Sequence, residues 1–278
     1  MALQITTLSE NTAGLRNLLG ELGLSILVET DEQNILFDTG QSTSASHNAD
    51  ILGIDLSQVN KIVLSHGHYD HTGGLKQILR RIGKKRMEII AHPDIWAVKY
   101  KRREGQEDEY IGILFHRQTL ESLGAHFNLT KEPVRITDNI MTTGEIPMVT
   151  DYEEIEPHLQ VKEGKRFKPD KLLDDQALII NTEPGLVVIL GCAHRGIINT
   201  LYHAQRLTGV KKIHAVLGGC HLTDASEERV WLTIAAIKEL GVQRLGVCHC
   251  TGLPASAIMA QEFGDGFFYN NAGTRISL

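Results

Sequence analysis

The sequence predicts a layered α/β domain, and three observations carry this. Both halves of the 278-residue chain repeat one order: a short apolar run, a turn rich in glycine and histidine, then a helical stretch. The runs KIVLS (61–65), LVVILGC (186–192) and IHAVLGG (213–219) read as buried strands. SEERVWLTIAAIKELG (226–241) is amphipathic at helical spacing, with Ser226 as its cap and Glu228 in its first turn.

The elements follow in order. LQITTL (3–8) alternates weakly and reads as a strand. GLSILVET (23–30) and NILFDTG (34–40) flank DEQ as a hairpin. HNADILGIDLSQV (47–59) has helical spacing and then turns. TGGLKQILRRIG (72–83) places Leu75, Ile78, Leu79 and Ile82 on one helical face and stops at glycine. MEIIAH (87–92) is the next strand. QALIINT (176–182) pairs with LVVILGC across the turn EPG. GIINTLYHAQRLTG (196–209) is helical, LGVCHC (245–250) a strand and PASAIMAQEFG (254–264) a helix. Residues 99–175 stand apart: they are charged and lack clean periodicity, with one β-like stretch at 136–147. They are expected to be solvated loops with a short hairpin, or a lid over a site. The whole chain, 1–278, is expected to be a single domain carrying this insertion.

Composition narrows the function classes. Hydrophobic residues at 42% and charged residues at 22% are an ordinary globular balance, so a sizeable core can form. The net charge is -6, and no stripe of lysine and arginine with interleaved aromatics suggests nucleic acid. No apolar run approaches the roughly 20 residues needed to span a bilayer. MALQITTLSEN has neither a basic leader nor a long apolar stretch, so a cytoplasmic protein without a membrane partner is expected. Four cysteines (Cys192, Cys220, Cys248 and Cys250) do not form a structural zinc pattern, and a disulfide framework is not expected. Each lies beside a histidine, in GCAH, GCH and CHC.

The chemistry concentrates at SHGHYDHTGG (65–74), where three histidines and an aspartate fall within six residues. In an extended segment, residues two apart point the same way, so His66 and His68 can address one metal ion. Asp70 and His71 begin the following helix and can reach a second ion beside the first. Gly73 and Gly74 let that helix start close to the loop backbone. A surface turn is the bland alternative, but packing gives no reason for four metal ligands at this spacing. Further ligands must come from elsewhere. His194, His221 and His249 each follow an apparent strand, where open α/β folds place their sites. His92, His126, His158, His203 and His214 lack that context and read as structural.

SHGHYDH resembles the H-x-H-x-D-H signature of the metallo-β-lactamase superfamily. The hairpin ending ILFDTG resembles it too, with Asp38 at that family's supporting aspartate. DDQALIINTEPGLVVILGCAHRGIINT and HCTG are similar to the branch named for 7,8-dihydropterin-6-methyl-4-(β-D-ribofuranosyl)aminobenzene 5'-phosphate synthase. The resemblance implies a four-layer αββα sandwich, two mixed sheets flanked by helices, with two metal ions at one edge. By position, His66, His68 and His194 would hold the first ion, and Asp70, His71 and His249 the second. Asp38 would support the ligand loop. One position departs: where many hydrolases of the superfamily carry a bridging aspartate, this chain reads GGCHL. Asp224, four residues beyond Cys220, lies too far along. Either His221 substitutes, or no protein group bridges the ions.

These ligands suit a metal-dependent hydrolase. Two divalent ions ~3.5–4 Å apart share a water and lower its pKa toward neutrality, giving a hydroxide nucleophile. The substrate would be a small molecule bearing a phosphate or carboxyl group. Asp70 would bind metal and orient the nucleophile, and His221 would protonate the leaving group or bind substrate. Arg102, Arg103, Lys165, Arg166 and Lys168 would meet a phosphate if the insertion folds over the site; ordinary surface charge is the competing account. Zinc is the default metal, with manganese or iron as alternatives. Two other functions stay open: a pterin-pathway synthase or transferase, as the branch name implies, and a non-hydrolytic iron or redox protein.

Overall fold

The computed structural model describes residues 2–278. Its strands are β1 (Leu3–Ser9), β2 (Ser25–Thr30), β3 (Asn34–Phe37), β4 (Lys61–Val63), β5 (Met87–Ala91), β6 (Lys99–Lys101), β7 (Glu109–Tyr110), β8 (Ala125–Leu129), β9 (Ile140–Thr142), β10 (Leu159–Glu163), β11 (Arg166–Pro169), β12 (Leu178–Thr182), β13 (Gly185–Leu190), β14 (Ile213–Gly219), β15 (Arg244–Cys248), β16 (Phe267–Tyr269) and β17 (Arg275–Ser277). The helices are α1 (Ser44–Ile51), α2 (Tyr69–Thr72), α3 (Leu75–Ile82), α4 (Arg117–Ser122), α5 (Ile197–Thr208), α6 (Glu227–Glu239) and α7 (Leu253–Phe263). None is long and apolar enough to cross a membrane.

Two mixed sheets face each other, one ordered β17-β1-β2-β3-β4-β5-β8 and the other β16-β15-β14-β13-β12-β9. Side-chain alternation explains the layering. On β3, Ile35 and Phe37 point toward the opposite sheet while Leu36 points outward; on β13, Val187 and Ile189 point in and Val188 and Leu190 out. Both faces are apolar, so both need cover. The inner faces cover each other, Ile5, Ile26 and Val63 meeting Ile180, Ala215 and Leu217. The outer face of the first sheet packs on Ala49 of α1, the Leu75, Ile78, Leu79 and Ile82 stripe of α3, and Leu120 of α4. The outer face of the second packs on Leu201 of α5, Ile234 and Ile237 of α6, and Met259 of α7. The result is the expected four-layer αββα sandwich. Ser226 caps α6 as expected, its hydroxyl accepting the Arg229 N–H at 3.2 Å.

Three local expectations shift. The helix predicted over 72–83 spans only Leu75–Ile82 as α3, parted at Gly73–Gly74 from the single turn of α2. There the chain presses on the turn after β3. A methyl group on Gly73 would lie 2.0 Å from the Gln41 carbonyl oxygen, and one on Gly74 2.0 Å from that of Thr39. Both obstacles are backbone, so they cannot swing aside. Gly74→Ala is therefore expected to lower the unfolding free energy by about 3 kcal/mol or more; an unchanged denaturation midpoint would show that the turn yields. The helix predicted over 47–59 begins earlier and ends at Ile51, because Gly53 (φ 69°) reverses the chain before a short turn over Leu56–Gln58. The strand predicted over 34–40 ends at Phe37, because Asp38 takes a left-handed φ of 58°.

Residues 99–175 hold more order than loops and a hairpin. β6, β7, β10 and β11 form a small antiparallel sheet, while β8 and β9 between them extend the two large sheets. Its strands carry alternating charge and few aliphatics, which hid them from a periodicity reading. Aromatic and cationic side chains hold it instead: Tyr100 packs edge-on against Phe167, and the Arg102 guanidinium lies 3.8 Å from the Phe167 ring centre. Buried Lys99 pairs with Asp170 (2.8 Å) and Asp174 (2.9 Å), which ties the small sheet to the body.

Candidate metal centre

The functional side chains stand at the carboxyl ends of β3 and β4 in one sheet and of β13, β14 and β15 in the other. The backbone turns sharply at these ends. Six non-glycine residues among those described have a positive φ, and four belong here: Asp38 (58°), Ala193 (52°), His221 (49°) and His249 (55°). Such conformations cost of order 1–3 kcal/mol each and persist where surrounding structure imposes them. Here they re-aim side chains from strand direction into the seam between the sheets.

Two clusters of ligand atoms result. In the first, His66 Nε2 lies 3.0 Å from His68 Nδ1, and the His194 ring centre lies 4.8 Å from that of His66 and 4.9 Å from that of His68. In the second, His71 Nε2 and His249 Nε2 are 3.2 Å apart. Asp70 Oδ2 is 3.3 Å from His249 Nε2 and 3.8 Å from His71 Nε2. The clusters adjoin, the His66 and His71 rings being 4.2 Å apart. The structure thus brings together all six residues expected to hold metal.

The outward nitrogens are held so that the inward ones are free. Asp38 is fully buried. It accepts the Ser65 N–H (2.7 Å), the Ser65 hydroxyl (2.6 Å) and the Nδ1–H of His71 (2.7 Å). With its proton given to Asp38, the Ser65 oxygen accepts from His66 Nδ1 at 2.9 Å. His249 Nδ1 lies 2.9 Å from Asn11 Oδ1, and its backbone N–H donates to Glu10 Oε1 at 2.8 Å. In its neutral form each of these imidazoles then turns an Nε2 lone pair inward, the orientation that metal binding needs.

That arrangement fits cations. The His71 and His249 Nε2 atoms, 3.2 Å apart, need positive charge between them, a proton or a metal ion. Both nitrogens of buried His194, and Nε2 of His68, have no protein hydrogen-bond partner, a costly state for buried polar atoms. Burial, reinforced by neighbouring positive groups, holds His66, His68 and His194 well below the ordinary imidazole pKa, so they stay neutral. Burial works the same way on His71, but Asp70 and Asp38 outweigh it and push its pKa up to about 9. Their field favours a cation at this spot. Asp70 itself is held below the usual carboxylate range: burial opposes this, and His71 and His249 overcome it.

His221 sits at the rim. Its ring centre is 4.0 Å from that of His194, and its Nε2 is 3.2 Å from a Glu156 carboxylate oxygen. Burial opposes charge there, but Cys250 and Glu156 push the pKa up to about 10. Asp224 pairs with Arg103 at 2.6 Å on the exposed surface and takes no part in the clusters. Arg102 and Lys168 are likewise engaged, with Asp108 and Glu163. Four of the five histidines read as structural have side-chain partners elsewhere: His92 with Glu145, His126 with Arg86, His203 with the Thr143 carbonyl, His214 with Gln243.

Several residues beyond those expected shape the site. Cys192 Sγ lies 3.1 Å from His71 Nε2. It stands two residues before His194, the same spacing as His66 and His68, a signal that the sequence carries and that the expected ligand set did not use. Glu156 lies in a charged stretch with no pattern to single it out. It is placed because Glu153, nearby, accepts the N–H groups of Ile198 (2.9 Å) and Asn199 (2.8 Å) at the start of α5. Glu10 and Asn11 carry no sequence signal; they reach His249 because β1 lies in the sheet opposite.

Comparison with known proteins bears on the family and the fold. A family model described as the metallo-beta-lactamase superfamily matches residues 19–206. A 7,8-dihydropterin-6-methyl-4-(beta-D-ribofuranosyl)-aminobenzene-5'-phosphate synthase of Methanocaldococcus jannaschii is 36% identical, across 98% of this chain and 95% of that protein. A crystal structure of Tm1679, described as a metal-dependent hydrolase of the beta-lactamase superfamily, superposes with a TM-score of 0.86 at 28% identity, covering 99% of both chains. Zn(2+)-bound PqqB from Methylobacterium extorquens shares the fold, with a TM-score of 0.57 at 12% identity over 99% of this chain and 100% of that one. The chain belongs to the metallo-beta-lactamase superfamily.

Proposed function

We propose that this chain is a metal-dependent enzyme that takes two divalent ions and hydrolyses a small phosphate- or carboxyl-bearing molecule. The partner-free nitrogens of His68 and His194, and the facing Nε2 atoms of His71 and His249, carry the reading. His66, His68 and His194 would hold one ion, and Asp70, His71 and His249 the other. Zinc is the default; manganese or iron would also suit imidazole and carboxylate. Such a pair, when bound, supplies Lewis acidity and a water acidic enough to act near neutral pH.

The chain's own groups do the rest. Asp38 and Ser65 fix the tautomers of His71 and His66. His221 keeps a proton at neutral pH, which suits it to protonate a leaving group; Glu156 holds the imidazole and restores its charge. The small sheet acts as a lid. Its Ile111 carbonyl accepts the Tyr69 N–H at 2.9 Å, and Asp174, paired to Lys99 of β6, accepts the Gly67 N–H at 2.8 Å. Both contacts grip the ligand loop.

A second reading is synthesis of a dihydropterin–ribofuranosyl-aminobenzene phosphate. It is favoured by the 36% identical synthase, which matches almost end to end. One experiment separates the two: protein purified without added metal is analysed for its elements, then assayed on phosphoesters and lactones and on a dihydropterin with a ribofuranosyl-aminobenzene phosphate. We expect two ions per chain and phosphoester hydrolysis that chelation removes. Hydrolysis undiminished in metal-stripped protein would sink the proposal. Product from the pterin pair without ester cleavage would transfer it to the synthase reading.

A further inference from the structure

We propose that Cys192 is a seventh metal ligand, its sulfur shared between the two ions. The proposal rests on the two-ion reading and narrows it. Ligand atoms of His66, Cys192 and His194 lie within 4.8 Å of one another, and so do those of His71, Cys192 and His249. Cys192 is the one residue common to both groups. His66 and His194 come from opposite sheets, and Cys192 Sγ is within 4.8 Å of ligand atoms of both and 3.1 Å from His71 Nε2.

The placement is fixed rather than incidental. Cys192 is buried, two residues beyond β13, and the left-handed Ala193 that follows turns the chain so that both Cys192 and His194 face the seam. Cys250 is the competing thiol. Its sulfur accepts the His221 backbone N–H at 3.3 Å, and it groups with Cys192 and His221 but with neither imidazole cluster. Cys220 and Cys248 join none of these groups. As metal binds, the Cys192 thiol proton passes to solvent and the sulfur forms a bond to each ion. A shared thiolate biases the site toward thiophilic metals, zinc, cobalt or iron, over manganese or magnesium.

The test loads metal-free full-length protein with cobalt(II) under a phosphine reductant, which brings no thiol of its own. X-ray absorption at the cobalt edge is expected to give one sulfur neighbour per cobalt on average, with a thiolate-to-cobalt band in the near ultraviolet. Both should vanish in Cys192→Ser and persist in Cys250→Ser. Half a sulfur per cobalt, meaning a ligand to one ion only, overturns the shared position. So does two bound cobalt ions with no sulfur, which leaves the two-ion reading intact. A band surviving in Cys192→Ser but lost in Cys250→Ser assigns the sulfur elsewhere and overturns the proposal. Protein that binds no cobalt overturns the two-ion reading and this one together. Should Cys192→Ser not fold, the sulfur count of the unaltered protein still decides.

Discussion

His194→Ala will lose one metal equivalent and roughly a thousandfold in turnover, with little change in the stability of the metal-free fold. The separation of these effects is the point. His194 makes no hydrogen bond through either ring nitrogen, so truncation breaks no polar contact; it removes an imidazole that faces other imidazoles. A Lewis-acidic metal supplies several kcal/mol to a reaction of this kind. At about 1.4 kcal/mol per decade, losing roughly 4 kcal/mol is about three decades. Elemental analysis, turnover number and chemical denaturation of the stripped proteins check the three parts. Full activity in the variant would mean that this cluster is not the reaction centre.

Asp38→Ala should do the opposite: strike stability first and metal second. The buried carboxylate satisfies three donors, two from Ser65 and one from His71. Removing it strands all three in a buried site, at about 1–3 kcal/mol each before relaxation. Alanine also tolerates the φ of 58° less well than aspartate. A loss of about 3–5 kcal/mol is expected. With its tautomer no longer fixed, His71 should bind metal some 10–100-fold more weakly. Asp38→Asn retains an acceptor and should fall between. Denaturant midpoints and competition with a metal chelator measure the two effects. A variant as stable as the parent would show that the Ser65 and His71 donors find other partners.

The sequence showed the ligand turn because its chemistry is local: four ligands in six residues need no tertiary information. The large sheets were legible for a similar reason, since their strands are short apolar runs bounded by turns. What stayed hidden depends on approach between distant segments. Gly73 and Gly74 break a helix because of Thr39 and Gln41, more than thirty residues earlier. Glu10 and Asn11 serve His249 from the far end of the chain. The small sheet was missed because its strands lean on arginine and aromatic stacking instead of aliphatic alternation.

The apolar layer between the two sheets has a consequence beyond stability. One sheet brings Asp38 and the His66–His71 turn, and the other brings Cys192, His194 and His249. The layer between them therefore works as a caliper. Ile5, Val28, Ile180 and Leu217 set the gap between its jaws, so a larger or smaller side chain there would alter the bite of the proposed chelate without touching it. Changes in metal preference are then to be sought among plain aliphatic residues as well as among the ligands.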